Sequence, residues 1–106
     1  MRRLKTKHSY HDAKVRAVEF GAGDSLVFEV ELCGCSGSSH ARVHLCFHGV
    51  KNVGDVRSFI EPILERAKER TRIAEIVGLL RDDNQQFLMD LDQGAFSIEA
   101  KSFTET

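Results

Sequence analysis

Two runs of alternating apolar and polar residues constrain the fold of this chain more than any other feature. Between residues 25 and 33, every second side chain is apolar: Leu26, Phe28, Val30 and Leu32. Residues 40–48 repeat the pattern with Ala41, Val43, Leu45 and Phe47. Because successive side chains of a β-strand point to opposite faces, each run predicts a strand with one buried face. The Gly- and Ser-rich segment 34–39 between them predicts a hairpin connection.

An alignment of these two strands with Cys33 opposite His40 keeps their apolar faces together. On the buried face it makes two apolar pairs, Phe28 with Leu45 and Val30 with Val43. On the outer face it makes two polar pairs, Glu29 with His44 and Glu31 with Arg42. A shift of one residue would mix the two faces, so the sequence predicts this register.

The remaining patterns predict one helix and four further strands. Residues 10–20 alternate with a change of phase at 16–18, which predicts a β-bulge. Apolar residues at three- and four-residue spacing over 56–67 predict a helix, with Asp55 or Ser58 as its cap and Pro62 in about its first turn. Alternation over 73–81, 87–92 and 95–103 predicts three more strands. The order β-β-β-α-β-β-β indicates an α+β fold: a mainly antiparallel sheet curved around or packed on one helix.

Length and charge limit the possible functions. The 106 residues predict a single domain, 1–106, with residues 1–8 as a frayed terminus. Fifteen Lys and Arg against sixteen Asp and Glu leave a net charge of −1, which argues against nucleic-acid binding. No apolar run is long enough to span a membrane, and no export signal is evident, so we expect no membrane partner. The odd number of cysteines then favours reduced thiols in the cytoplasm.

The predicted hairpin at 33–48 raises the question of a metal site, because it holds all three cysteines and three of the five histidines. Zinc binds four thiolate or imidazole ligands, which Cys33, Cys35, His40 and His44 could supply. The C-x-C spacing differs from the C-x₂₋₄-C of most structural zinc sites. We therefore expect no cofactor, and a zinc site on these four residues stays open as the alternative.

Nucleophilic catalysis is the second chemistry that this hairpin could support. Cys46 lies between His44 and His48, but neighbouring positions on one strand face are about 7 Å apart. An exposed sheet face also lacks the water-excluding pocket that catalysis needs. We therefore expect that the protein is not an enzyme.

Four stretches carry a resemblance to a known group of proteins: "SYHDAKVRAVEF", "LVFEV", "VHLCFHGVKNV" and "EIVGLLRDDNQQFLMDLDQGAFSIEAKSF". The chain resembles small bacterial proteins that begin with a His-Asp-Ala strand, some of which are classed as immunity proteins of polymorphic toxin systems. The resemblance implies a small, mainly β domain without catalytic residues. Its motif positions here are His11 and Asp12. Structural roles fit both residues: Asp12 can hydrogen-bond the backbone at a strand start, and His11 can pack under the sheet edge.

These observations favour a cytoplasmic binding protein, in particular an immunity protein that neutralises a bacterial toxin by occluding it. Toxins that cleave nucleic acid often have basic active sites. We therefore expect the binding residues on the polar face of the predicted 33–48 hairpin and in the acidic turn at residues 82–84. The candidates are Glu29, Glu31, Arg42, His44, His48, Asp82 and Asp83. Two alternatives stay open: the Cys/His metal-binding module, and a structural domain that forms a homodimer by pairing an edge strand.

Overall fold

A computed structural model describes residues 2–21, 23–32, 41–67, 73–82 and 84–106 of the chain. These residues form eight β-strands and one α-helix. In chain order the elements are β1 (Arg2–Arg3), β2 (Lys14–Phe20), β3 (Leu26–Glu31), β4 (Arg42–His48), α1 (Val53–Arg66), β5 (Ala74–Arg81), β6 (Gln86–Leu91), β7 (Gly94–Glu99) and β8 (Ser102–Glu105).

The strands form one antiparallel sheet in the order β7-β6-β5-β2-β3-β4-β8, with β1 added beside β5. The α+β class predicted from the sequence is therefore confirmed. The sheet also has the predicted irregularity in its second strand, because the pairing of β2 with β3 shifts between Val15 and Ala17. An extra residue, Arg16, at this point lets the apolar side chains on either side of it stay directed at the core.

The predicted register of β3 and β4 is confirmed. Phe28 lies opposite Leu45 and Val30 opposite Val43, while Glu29 and Glu31 lie opposite His44 and Arg42. The inward side chains of both strands are buried in the core. Burial of these large apolar side chains, at about 1.5 to 3 kcal/mol each, stabilises this register against a shift of one residue.

Aromatic rings fill the space between the sheet and the helix. Phe28 and Phe47 meet edge to face with their ring centroids 6.0 Å apart. The helix adds Val56, Ile60 and Ile63 to the core, and its Phe59 stacks on Phe96 of β7 at 4.8 Å. The amphipathic pattern of α1 is thus used to cover the inner side of the sheet near β7.

The last predicted strand, 95–103, is wrong as a single element. The structure divides it into β7, which pairs with β6, and β8, which pairs with β4 at the opposite end of the strand order. Lys101 N donates to His48 O at 2.9 Å where the chain crosses. Gly49 has a φ of +66° there, and a Cβ on it would lie 2.8 Å from the Lys101 side chain. Residues 94–105 therefore join the two ends of the sheet, which curls around the core.

The start of the helix also differs from the prediction. The helix begins at Val53 with Asn52 in the N-cap position, so Asp55 lies in its first turn and Ser58 lies inside it. Pro62 consequently lies in the helix interior rather than near its start. Proline has no N–H, so the carbonyl of Ser58 cannot receive the bond that residue 62 would normally donate. The apolar spacing that buries Ile60 and Ile63 on either side of Pro62 outweighs this loss.

The amino-terminal segment was expected to be frayed through residue 8. In the structure, Arg2 and Arg3 form β1 opposite Arg81 and Leu80. Leu4 is buried, and its backbone N–H donates to Leu79 O at 3.0 Å. One apolar side chain therefore fixes this segment against the edge of β5.

Candidate functional site

The outward side of β3 and β4 carries five of the seven residues predicted to bind a partner. We call this surface the hairpin face and define it by its outward side chains: Glu29, Glu31, Arg42, His44, Cys46 and His48. These side chains share one surface because they alternate with the buried apolar ones along both strands. The register places each of them at a fixed position on a rigid pair of strands.

Both carboxylates of the hairpin face are ion-paired within the chain. Arg42 Nη1 lies 3.4 Å from Glu29 Oε1, and Arg42 Nε lies 3.9 Å from Glu31 Oε1. Arg16, the bulged residue of β2, donates from Nη2 to Glu31 Oε2 at 2.8 Å. The side chain of Glu31 is only 15% exposed and that of Glu29 is 29% exposed. Their negative charge is therefore largely compensated before any partner arrives.

Arg42 is the most accessible member of this charged cluster. Its side chain is 55% exposed although its guanidinium contacts two carboxylates. A guanidinium held in this way loses less rotamer freedom when it binds, because the two glutamates already orient it. The hairpin face is thus a surface of mixed charge with an oriented arginine.

The two histidines of the hairpin face flank a thiol. His48 Nε2 lies 3.1 Å from Thr104 Oγ1 on the neighbouring β8. Cys46 is a free thiol of intermediate exposure, and its Sγ lies 4.0 Å from His44 O. Both imidazoles are exposed and can donate or accept hydrogen bonds, since a neutral ring offers one nitrogen of each kind.

The alternative zinc site falls mostly on residues without a description. Cys33, Cys35 and His40 lie outside the described residues. His44, the fourth candidate, lies on β4 opposite Glu29. In the segments that the structure does describe, no three His, Cys, Asp or Glu side chains gather as ligands for a metal ion.

The acidic turn has a structural use in the link between β5 and β6. Asp82 Oδ1 accepts hydrogen bonds from the backbone N–H groups of Asn84 and Gln86, at 2.8 and 3.0 Å. This is the way in which Asp stabilises turns. Asp83, its predicted companion, lies outside the described residues. In the sheet, β2 lies between β5 and β3, so one strand separates the element that leads to Asp82 from the hairpin face.

The motif residues His11 and Asp12 lie in a turn beside β5. His11 is exposed, with its Nδ1 3.0 Å from Val77 O, rather than packed under the sheet. Asp12 has a φ of +67° and bonds through its backbone, donating its N–H to Ile76 O at 2.8 Å. Asp tolerates this left-handed conformation better than most residues do, which explains its place in the turn.

Sequence patterns did not reveal a link between the two ends of the chain. Tyr10, which is buried, donates its hydroxyl to Glu105 Oε1 at 2.5 Å. The same carboxylate accepts the backbone N–H of Lys7 at 2.9 to 3.0 Å. Burial, and then the hydrogen bond to Glu105, raise the pKa of Tyr10 well above its ordinary value. The presence of one tyrosine in a polar segment was the only available signal.

Comparison of the chain with family models, curated proteins and solved structures gives no match. The resemblance to immunity proteins therefore stays a prediction. The one helix among the described residues is too short and too polar to cross a membrane.

Proposed function

We propose that this protein is a cytoplasmic, non-enzymatic binding protein that neutralises a bacterial toxin by occluding it. The hairpin face is the surface that makes the contact. The observation that carries the proposal is the oriented, half-exposed guanidinium of Arg42 between Glu29 and Glu31, on a strand pair of fixed register. Binding sites on paired strands are held more accurately than sites on loops.

The chemistry of this surface fits a protein partner. Arginine is enriched among the residues that dominate binding energy, and the exposed imidazoles of His44 and His48 add hydrogen bonds around it. Compensated charges such as Glu29 and Glu31 favour specificity, because a partner must match both signs in register. We therefore expect a partner that presents a carboxylate to Arg42 beside hydrogen-bonding groups.

Dimerisation through the β7 edge is less favoured, because the backbone groups of that edge already have partners. At β7, Lys51 N donates to Glu99 O at 2.7 Å, and the Asn52 amide bonds both Ser97 O and Glu99 N. Coverage of this kind is how proteins protect sheet edges from pairing with another chain.

The test is co-expression with a toxin domain encoded beside this protein, scored by growth and by purification of the complex. The wild-type chain should restore growth and form an equimolar complex with a chemically unchanged toxin. Arg42→Ala combined with His44→Ala should weaken binding by about 2 kcal/mol or more, because both remove contacts from the centre of the hairpin face.

The control is Lys51→Ala combined with Arg57→Ala, which removes two exposed basic side chains near α1. We expect this variant to protect as well as the wild type. Equal protection by both double variants would contradict the proposed surface. A toxin that is recovered cleaved or modified would show that the protein is an enzyme.

A further inference from the structure

A cavity of about 320 Å³ lies beside β1, where the amino-terminal segment meets the end of β5. It is lined by Arg2, Arg3, Leu4, Lys5, Arg81 and Asp82. Four of these six residues are cations and one is an anion. The whole chain carries one more acidic than basic residue, so this concentration of positive charge is local.

Strand pairing brings the cations together. Arg2 lies directly opposite Arg81 in the antiparallel pair of β1 and β5. Side chains in facing positions have their Cβ atoms about 5 Å apart, so the side chains of Arg2 and Arg81 start from neighbouring points of the cavity lining. Arg3 and Lys5 also line the cavity and add positive charge to it. The burial of Leu4 between them fixes the backbone that carries these side chains.

Two contacts hold the residues at the end of β5 that line the cavity. The guanidinium carbon of Arg81 lies 5.5 Å from the centre of the Phe87 ring, a cation–π geometry that holds the side chain in place. Asp82 Oδ1 accepts two backbone N–H groups of the turn, so the one carboxylate in the lining is engaged in turn structure. Among the described residues that line the cavity, four cations stand against this one carboxylate, and the guanidinium of Arg81 is oriented at its side.

We propose that this cavity binds the phosphate group of a small molecule. Phosphate offers several acceptor oxygens to the planar donor fork of arginine and a point charge to lysine, which matches the lining. The volume is within the range of small-ligand sites. This site uses other strands than the hairpin face and does not depend on the proposed function.

A small phosphate compound fits this cavity better than a nucleic-acid strand does. Proteins that bind single strands combine basic grooves with exposed aromatic side chains on which the bases stack. The described residues that line the cavity include none that is aromatic. The recognised group is therefore the phosphate itself, either as a free polyphosphate or as part of a nucleotide.

The experiment measures pyrophosphate binding by calorimetry and by the thermal midpoint, with ionic strength held constant. Saturable binding and a rise in the midpoint are expected, because a ligand of the native state stabilises it. Arg81→Gln should lower the affinity about tenfold or more, since a charge-assisted contact is lost. Lys5→Gln, on an exposed position that does not threaten folding, should lower it several-fold.

Arg57→Gln is the matched control. Arg57 is also an arginine held over a phenylalanine, with its guanidinium carbon 4.5 Å from the Phe20 ring centre, but it lies on α1. The affinity of the Arg57→Gln variant for pyrophosphate should stay within about twofold of that of the wild type, a difference below 0.5 kcal/mol in binding free energy. Equal losses in Arg57→Gln and Lys5→Gln would overturn the proposal, because the effect would then follow net charge alone.

ATP and a single-stranded oligonucleotide test which kind of compound carries the phosphate group that the cavity binds. Binding of ATP with the affinity of pyrophosphate would support recognition of the phosphate alone, and tighter binding of ATP would support a nucleotide. The absence of saturable binding by both compounds would overturn the proposal. A single-stranded oligonucleotide that binds where both small compounds fail would do so as well.

Discussion

At the scale of single residues, Asn52 occupies the N-cap position of α1, but its side chain binds the backbone of β7. Asn is a favoured N-cap residue because its side chain can accept an N–H from the first helical turn. Within the described part of the chain, Asn52 makes no such bond. Its amide instead donates to Ser97 O at 2.9 Å and accepts Glu99 N–H at 2.8 Å. The residue thus covers the edge of β7 while its backbone starts the helix.

We predict that Asn52→Ala lowers the free energy of unfolding by about 1 to 3 kcal/mol, because two backbone groups of β7 lose their partners. Chemical denaturation of the purified variant measures this change. Asn84→Ala is the control: Asn84 is exposed in a turn, and its substitution should change stability by no more than about 0.5 kcal/mol. Similar losses in the two variants would show that the amide of Asn52 has no special role.

At the scale of elements, α1 combines a strong apolar pattern with a residue that opposes helix formation. Pro62 lies in the interior of the helix, between the buried Ile60 and Ile63. Proline in such a position costs about 3 kcal/mol relative to alanine. The helix persists because its apolar side chains pack against the sheet, including the stacked pair of Phe59 and Phe96. Tertiary packing therefore decides the length of this element.

We predict that Pro62→Ala raises the free energy of unfolding by about 1 to 2 kcal/mol. The substitution restores a donor for the Ser58 carbonyl, and the greater freedom of the unfolded chain offsets part of the gain. Glu61→Ala, an exposed neighbour in the same helix, should stay within about 0.5 kcal/mol of the wild type. A loss of stability in Pro62→Ala would instead mean that the packing of Ile60 and Ile63 requires the bend made by proline.

At the scale of the whole molecule, the two ends of the chain are joined by one carboxylate. Tyr10 and Glu105, 95 residues apart, share a hydrogen bond, and Lys7 N–H binds the same carboxylate. Together with β1, this contact holds the amino-terminal segment between β5 and β8. The environment raises the pKa of Tyr10, so the folded state keeps the phenolic proton at a pH where the unfolded chain releases it.

We predict that the free energy of unfolding falls as the pH rises above about 10, the ordinary pKa of tyrosine. Below that pH both states are protonated, and the contribution of Tyr10 is fully present. Above it only the unfolded chain releases the proton, which costs up to about 1.4 kcal/mol of stability per pH unit. The chain has one tyrosine and no tryptophan, so tyrosinate absorbance reports Tyr10 directly.

Tyr10→Phe provides the control for this pH dependence. In that variant the part of the slope due to tyrosine should disappear, and only the ionisation of other groups should remain. In the wild type, the tyrosinate band should grow together with unfolding. A band that grows at the same pH in folded and denatured protein would refute the prediction.

The sequence by itself determined the features that depend on side-chain periodicity. The register of β3 and β4 follows from two alternating runs and the short segment between them, since a shift of one residue would expose Phe28 or bury Glu29. The bulge near Arg16 appears as a change of phase, and α1 as apolar residues at helical spacing. The same periodicity placed Glu29, Glu31, Arg42, His44 and His48 on one surface.

Only the tertiary structure decided how these elements use their polar groups and edges. The alternation of Phe96, Ile98 and Ala100 continues to the point where β7 ends, so it contains no sign of the crossing to β4. The pairing of Arg16 with Glu31, the use of Asn52 at a strand edge and the charge around Arg81 all join distant segments. Hydrophobic periodicity records which side of an element is buried, whereas hydrogen bonds and ion pairs depend on which distant groups the folded chain brings within about 3 Å.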